Sequence, residues 1–189
     1  MEPILYKILR PIAKFIFKIL YCPKIINRDY IPKEGRIILA GNHTNNFDCI
    51  LLLSSTKRVI HFLAKDELFQ GKKKFFFSRL GLVPVNRREK DPKAMKSSID
   101  YLKENKVIGI FPEGTFNKTK DIVMPFKYGA VAMASKTKTK IIPFSITGKY
   151  KLFSKPTICF GKPYSVSKDL EKENKILMTK VSDLIIKNR

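Results

Sequence analysis

From Arg36 to Phe160 the chain alternates short apolar runs with stretches of helical periodicity, which restricts the fold more than any other feature of its 189 residues. The runs are 36–41 (RIILAG), 59–64 (VIHFLA), 82–86 (LVPVN), 107–111 (VIGIF), 140–147 (KIIPFSIT) and 157–160 (TICF). All are short, rich in Ile and Val and bounded by Gly, Pro, Asn or Lys, which is how buried strands read. Helical periodicity falls between them at 47–55, 72–80, 92–104 and 126–136. Asp91-Pro92 supplies a capping side chain followed by proline at the first helical position, and Met95, Ile99 and Leu102 form the stripe behind it. From Ser167 to Lys187 the apolar residues Leu170, Leu177, Val181, Leu184 and Ile185 predict a closing amphipathic helix. Strands alternating with helices define an α/β class: a single domain over 25–189 with a mostly parallel sheet flanked by helices. An N-terminal amphipathic helical segment, 1–24, precedes it.

In parallel sheets the working residues collect just past the carboxyl ends of the strands. Three polar segments fall there: GNHTNNFD (41–48), NRR (86–88) and PEGT (112–115). In the first, His43 and Asp48 are five positions apart, about 140° in azimuth on a continuous helix, so they could not face each other there. They meet if His43 lies in the strand-to-helix turn and Asp48 reaches back from the first helical turn, where the helix's positive end favours a carboxylate. A carboxylate on one imidazole nitrogen fixes the tautomer and leaves the other nitrogen as a general base. Read alone, the segment is equally an asparagine-rich helix cap with an incidental histidine. Glu113 in the third segment could help arrange a polar acceptor beside cations. Arg87 offers a rigid fork for phosphate, or is simply surface charge.

Taken together and in order, NHTNNFD, GLVPVNR, FPEGT and IIPFSITG resemble the lysophosphatidic acid acyltransferase (1-acyl-sn-glycerol-3-phosphate acyltransferase) family, with weaker features at KDEL-F (65–69) and FKYGA (126–130). The resemblance runs from about residue 25 to residue 165. It implies an O-acyltransferase that joins an acyl chain from an acyl thioester to the free sn-2 hydroxyl of lysophosphatidic acid, giving phosphatidic acid. His43 would deprotonate the hydroxyl and Asp48 would orient and stabilise it, with no acyl-enzyme intermediate. Arg87, Glu113, Gly114 and Thr115 would belong to the glycerol-phosphate pocket, Lys65 would be a further phosphate contact, and Pro143 would fall in the family's fourth motif. The resemblance also implies acyl-CoA or acyl-acyl-carrier-protein as donor substrate, with no metal and no bound cofactor. One departure stands out: the family usually follows EGT with arginine, and here the next residue is Phe116. Lys118 or Arg88 could compensate, or the acceptor could be a different lysolipid or an aminolipid.

Residues 3–21 (PILYKILRPIAKFIFKILY) stack Lys7, Arg10, Lys14 and Lys18 on one helical face, with Ile, Leu and Phe filling most of the remainder. Four cations interrupt a stretch that would need about 20 apolar residues to span a bilayer. Pro11 is expected to kink or divide the helix. A basic, aromatic-bearing amphipathic helix suits the headgroup plane of an anionic membrane, with Phe15 and Phe17 among its contacts. Packing on the core is the alternative, and the width of the apolar arc favours the membrane. The run Lys72–Phe77 (KKKFFF) could add a second contact.

A formal charge of +22 suits an anionic partner, membrane or acidic carrier protein, although lysine enrichment alone would raise it too. Nucleic acid is not expected, since no recognised binding motif accompanies the charge. Three well-separated cysteines fit a reducing compartment, and two histidines are too few for a His-rich metal site. His61, inside an apolar strand, reads as a satisfied histidine without a catalytic role. The expected location is the cytoplasmic face of the cell membrane, peripheral or monotopic.

Overall fold

A computed structural model of the chain describes residues 3–189, the side chain of Lys73 excepted. The elements run α1 (Ile4–Tyr21), β1 (Lys24–Ile26), β2 (Ile37–Gly41), α2 (Asp48–Ser55), β3 (Ile60–Lys65), the single turn α3 (Lys74–Phe77), β4 (Val83–Val85), α4 (Pro92–Lys103), β5 (Val107–Ile110), α5 (Gly129–Thr137), β6 (Ile141–Thr147), β7 (Thr157–Phe160) and α6 (Leu170–Lys187). They build one sheet in the order β1-β7-β6-β2-β5-β3-β4. Strands β4, β3, β5, β2 and β6 are parallel. β7 returns antiparallel to β6, and β1 pairs parallel with β7.

Both faces of the sheet are covered, and the period of two in the strands divides their side chains between two cores. Ile38 and Ala40 join Leu102, Ile108, Met133, Leu177 and Val181, packed under α4, α5 and α6. Ile37 and Leu39 join Leu51, Leu52, Ile60, Phe144 and Phe17, under α1 and α2. From β2 the chain first moves outward to β3 and β4, then returns through β5 and crosses to β6. β2 therefore sits at the point where the direction of winding reverses, the place where α/β sheets open a crevice at their carboxyl ends.

Several boundaries differ from the sequence expectation. β1 has only three residues, follows Pro23 and carries no alternation long enough to read. The helix expected at 126–136 starts at Gly129, because Phe126 is buried and the Lys127 amide is donated to the Pro112 carbonyl at 2.9 Å. The 72–80 helix is broken into 3₁₀ turns on either side of α3.

The N-terminal segment needs three corrections. Pro11 does not divide the helix, which continues unbroken from Ile4 to Tyr21. Phe17 is not a membrane-facing residue: it is 2% exposed and packs against Tyr21, Phe47 and Tyr150. Arg10 is committed to the protein, donating from Nε to Leu53 O (3.4 Å), from Nη1 to Lys57 O (2.7 Å) and from Nη2 to Thr56 O, the carbonyls at the end of α2. A guanidinium fork there satisfies acceptors that a helix end leaves open. The face turned away from the domain is apolar instead: Ile4, Ile8, Ile12, Phe15, Ile16 and Ile19 are all at least half exposed.

Candidate active site

The site grows from the end of β2. Gly41 lies so close to β6 that a Cβ would come within 2.3 Å of the Phe144 carbonyl oxygen. Glycine is the residue that allows this approach. Asn42 then prolongs the strand pairing with its side chain: Nδ2 donates to Ile146 O at 2.9 Å, and Oδ1 accepts from Ile146 N at 2.7 Å. The next residue, His43, is held by its own backbone. Its amide donates to Glu113 Oε1 (2.9 Å) and its carbonyl accepts from Asn117 N (2.8 Å).

The turn 43–48 closes on Asp48, the first residue of α2, whose side chain is fully buried. Its Oδ2 takes His43 Nδ1 at 2.9 Å, Thr44 N at 2.6 Å and Asn45 N at 2.8 Å. Oδ1 accepts from the Tyr150 hydroxyl at 2.5 Å. Because a carboxylate only accepts, Nδ1 is the donor in the His43–Asp48 bond, and Nε2 is the ring nitrogen left out of it. The cap and the dyad are thus one geometry: the backbone donors that make a helix-cap loop are those that aim Asp48 at the imidazole. Phe111 stacks on that ring at 4.0 Å between centroids, and Phe116 meets it edge-on at 4.5 Å. The two rings fix its plane and give it apolar walls.

Glu113 enters the site as a brace for the turn that carries His43. Oε1 holds the His43 amide, Oε2 accepts from Met124 N at 2.8 Å, and the residue is buried. Burial raises its carboxyl above the usual range, while the bonds from Met124 and His43 oppose that rise. Arg87, half-buried, reaches across from the end of β4 to donate from Nη1 to Gly114 O at 3.0 Å. Lys127 completes this corner: its Nζ donates to Arg87 O at 2.6 Å and its Cε lies 3.1 Å from where a Gly114 side chain would begin. Lys65 ends β3 opposite Val85, on the same sheet edge as Arg87, and Thr115 is exposed. Neither Arg88 nor Lys118 is drawn in; both are exposed.

Two other groups are set apart. His61 is buried, pairs through Nδ1 with Gly81 O at 2.6 Å and stacks on Tyr101 at 3.9 Å, away from the dyad. Burial and then the Asp48 charge push the Cys49 thiol up to about 12, Arg87 opposing, so it is no nucleophile near neutral pH. Sequence reasoning missed Lys127 and Tyr150 as members of the site. Lys127 lay within FKYGA, a segment already singled out, but Tyr150 sits two residues past IIPFSITG and carried no signal of its own.

The site is thus a buried His–Asp dyad at the carboxyl end of a parallel sheet. A family model described as Acyltransferase matches residues 22–147, and the chain belongs to that acyltransferase family. It is also similar to proteins named 1-acyl-sn-glycerol-3-phosphate acyltransferase. The 1-acyl-sn-glycerol-3-phosphate acyltransferase of Bacillus subtilis is 33% identical over 146 residues, covering 76% of this chain and 72% of the relative. That of Borreliella burgdorferi is 32% identical over 145 residues, covering 75% of this chain but 57% of the longer relative. The crystal structure of the Thermotoga maritima 1-acyl-sn-glycerophosphate acyltransferase superposes with a TM-score of 0.75 at 24% identity, over 96% of this chain and 78% of that one, a likeness of fold.

Proposed function

We propose that this chain acylates the free sn-2 hydroxyl of lysophosphatidic acid at a membrane surface, giving phosphatidic acid, with His43 as general base and Asp48 as its orienting partner. The observation that carries the reading is the His43 Nδ1–Asp48 Oδ2 bond at 2.9 Å, which leaves Nε2 as the basic nitrogen. The acceptor hydroxyl gives its proton to Nε2 as its oxygen attacks the thioester carbonyl. The carbon–sulfur bond then breaks, and the thiolate recovers the proton from the imidazolium, which Asp48 has stabilised meanwhile. The high Cys49 thiol is consistent with direct transfer instead of an acyl-enzyme step. The two substrates suffice for this chemistry, so neither metal nor cofactor is required.

An anionic acceptor is favoured by the Arg87–Gly114–Lys127 corner, with Lys65 on the same edge. Lys127 supplies there a cation of the kind that Phe116, set against His43, does not. The donor is acyl-CoA or acyl-acyl-carrier-protein, both anionic partners suited to a chain of +22. Docking on the cytoplasmic face of the cell membrane, peripheral or monotopic, is supported by the outward apolar stripe of α1. Lys18 flanks that stripe, exposed, and Phe75, Phe76, Leu152 and Phe153 add further exposed apolar groups. Among the described residues no helix is long and apolar enough to cross a membrane.

The test is a purified full chain given lysophosphatidate in anionic vesicles with acyl-CoA or acyl-carrier-protein donor, phosphatidate being measured by mass spectrometry. Wild type forms product and His43→Ala loses at least about a thousand-fold in rate. Equal product from both proteins would refute the base assignment, and no product from wild type with either donor would refute the acceptor.

A further inference from the structure

We propose that Tyr150 is a positioning residue of the dyad: its hydroxyl holds the second carboxylate oxygen of Asp48, and the aromatic cluster around its ring ties that bond to helix α1. The inference rests on the acyl-transfer reading for its consequence in rate, but its structural half can be tested without any substrate.

Asp48 is buried and has two oxygens to satisfy. Oδ2 is saturated by His43 Nδ1 and two backbone amides. Oδ1 has one short donor, the Tyr150 hydroxyl at 2.5 Å, and otherwise only Thr44 Oγ1 at 3.4 Å, which is shared equally with Oδ2. Without Tyr150, a buried anionic oxygen would have no good partner, an expensive omission inside a protein. Burial, then the Asp48 charge and the bond to it, raise the Tyr150 phenol well above its ordinary value, so it stays a donor at every working pH. The other titratable or charged groups facing the pair are Glu113 from the loop after β5, Cys49 on α2, Arg87 after β4 and Tyr21 on α1.

The route by which Tyr150 gets there is built. Gly148 takes φ +88° directly after β6, with Pro156 Cα only 3.2 Å from where its Cβ would stand, and turns the chain back towards α2. The loop is then fastened to the end of α1, Phe153 N donating to Leu20 O at 2.7 Å and Lys155 N to Tyr21 O at 3.0 Å. The Tyr150 ring lies 5.6–6.0 Å between centroids from Phe47, Tyr21 and Phe17. The helix that presents the outward apolar stripe therefore also sets where the phenol sits.

A hydrogen bond donated to Oδ1 spreads the carboxylate charge, so removing it leaves more charge for the imidazolium. Tyr150→Phe is accordingly expected to raise the pH midpoint of the His43 titration, read from its downfield ring N–H and carbon-bound proton resonances without substrate. With substrate, the carboxylate freed at Oδ1 turns out of line with the imidazole, and that misorientation outweighs the stronger base: kcat falls about ten-fold or more, acceptor KM changes by less than about three-fold, and the acid limb of kcat/KM moves up in pH. Placing 3-fluorotyrosine at position 150, a stronger donor of nearly the same shape, moves the His43 midpoint down and covers the case in which the phenylalanine variant folds poorly. Tyr21→Phe, which deletes a hydroxyl from the same cluster, leaves midpoint and kcat unchanged. An unmoved His43 midpoint in both position-150 variants, or an equal effect from Tyr21→Phe, overturns the proposal whether or not the wild type is a transferase. A moved midpoint in a wild-type background that forms no phosphatidate supports the positioning bond and refutes the acyl-transfer reading alone.

Discussion

Replacing Asp48 by Asn separates what the carboxylate does by shape from what it does by charge. Asparagine keeps one acceptor oxygen, and that oxygen belongs at Oδ2, where His43 Nδ1, Thr44 N and Asn45 N all donate. The amide nitrogen then faces Tyr150, whose hydroxyl can turn from donor to acceptor. The dyad should therefore keep its geometry and lose its charge. Two unit charges about 4 Å apart attract by about 4 kcal/mol at an effective dielectric of about 20. That stabilisation exists only once His43 is protonated, in the transition state, so its loss lowers kcat by about a thousand-fold. Acceptor KM should change by less than about three-fold, because the Arg87–Lys127 corner is untouched. The assay is steady-state phosphatidate formation on mixed vesicles, with circular dichroism and thermal unfolding to show that the variant folds. A kcat within ten-fold of wild type would refute the reasoning, and a loss confined to KM would mean that Asp48 acts on substrate binding instead.

Lys127→Met removes a charge-assisted contact worth about 1.5–3 kcal/mol, so acceptor KM should rise about ten-fold or more with kcat nearly unchanged; an unaltered KM refutes its place in the anion corner. Ile12→Asp with Phe15→Asp puts charge on the outward stripe of α1. Vesicle co-sedimentation should weaken by at least about ten-fold while urea stability shifts by no more than about 1 kcal/mol, and undiminished binding would remove α1 from the membrane contact. Asp91→Ala deletes the cap of α4, where the carboxylate accepts from Ala94 N and Asn86 N at 2.9 Å each. The cost at neutral pH should be about 1 kcal/mol by urea denaturation. Those same bonds lower the Asp91 carboxyl, so its contribution is present above its unfolded pKa and fades as pH falls through the folded one. The gap between wild type and variant should narrow on acidification, and a gap that widens contradicts the sign.

Much of the fold was legible because the strands with buried faces are continuous apolar runs and the α4 cap is written out as Asp91-Pro92. β1 was not, since three residues carry no period and its pairing with β7 is across 133 positions. Within α1 the periodicity located the cations and the apolar residues, but could not say which apolar arc turns inward. Arg10 and Phe17 were resolved by the neighbours they found, the end of α2 and the Tyr21–Phe47–Tyr150 cluster.

His43 and Asp48 stand close enough in the chain for a turn to join them, so their pairing could be reasoned from residue types and spacing alone. Everything that makes the pair specific comes from further away: Glu113 is 70 positions on from His43, and Tyr150 is 102 from Asp48. Residues so distant meet only because β2, β5 and β6 lie side by side and end at the same edge. Local sequence determined the chemistry of the dyad through backbone turns and a helix start. The sheet's winding decided which donors, cations and aromatic rings surround it, because register and crossover, not periodicity, bring those strand ends together.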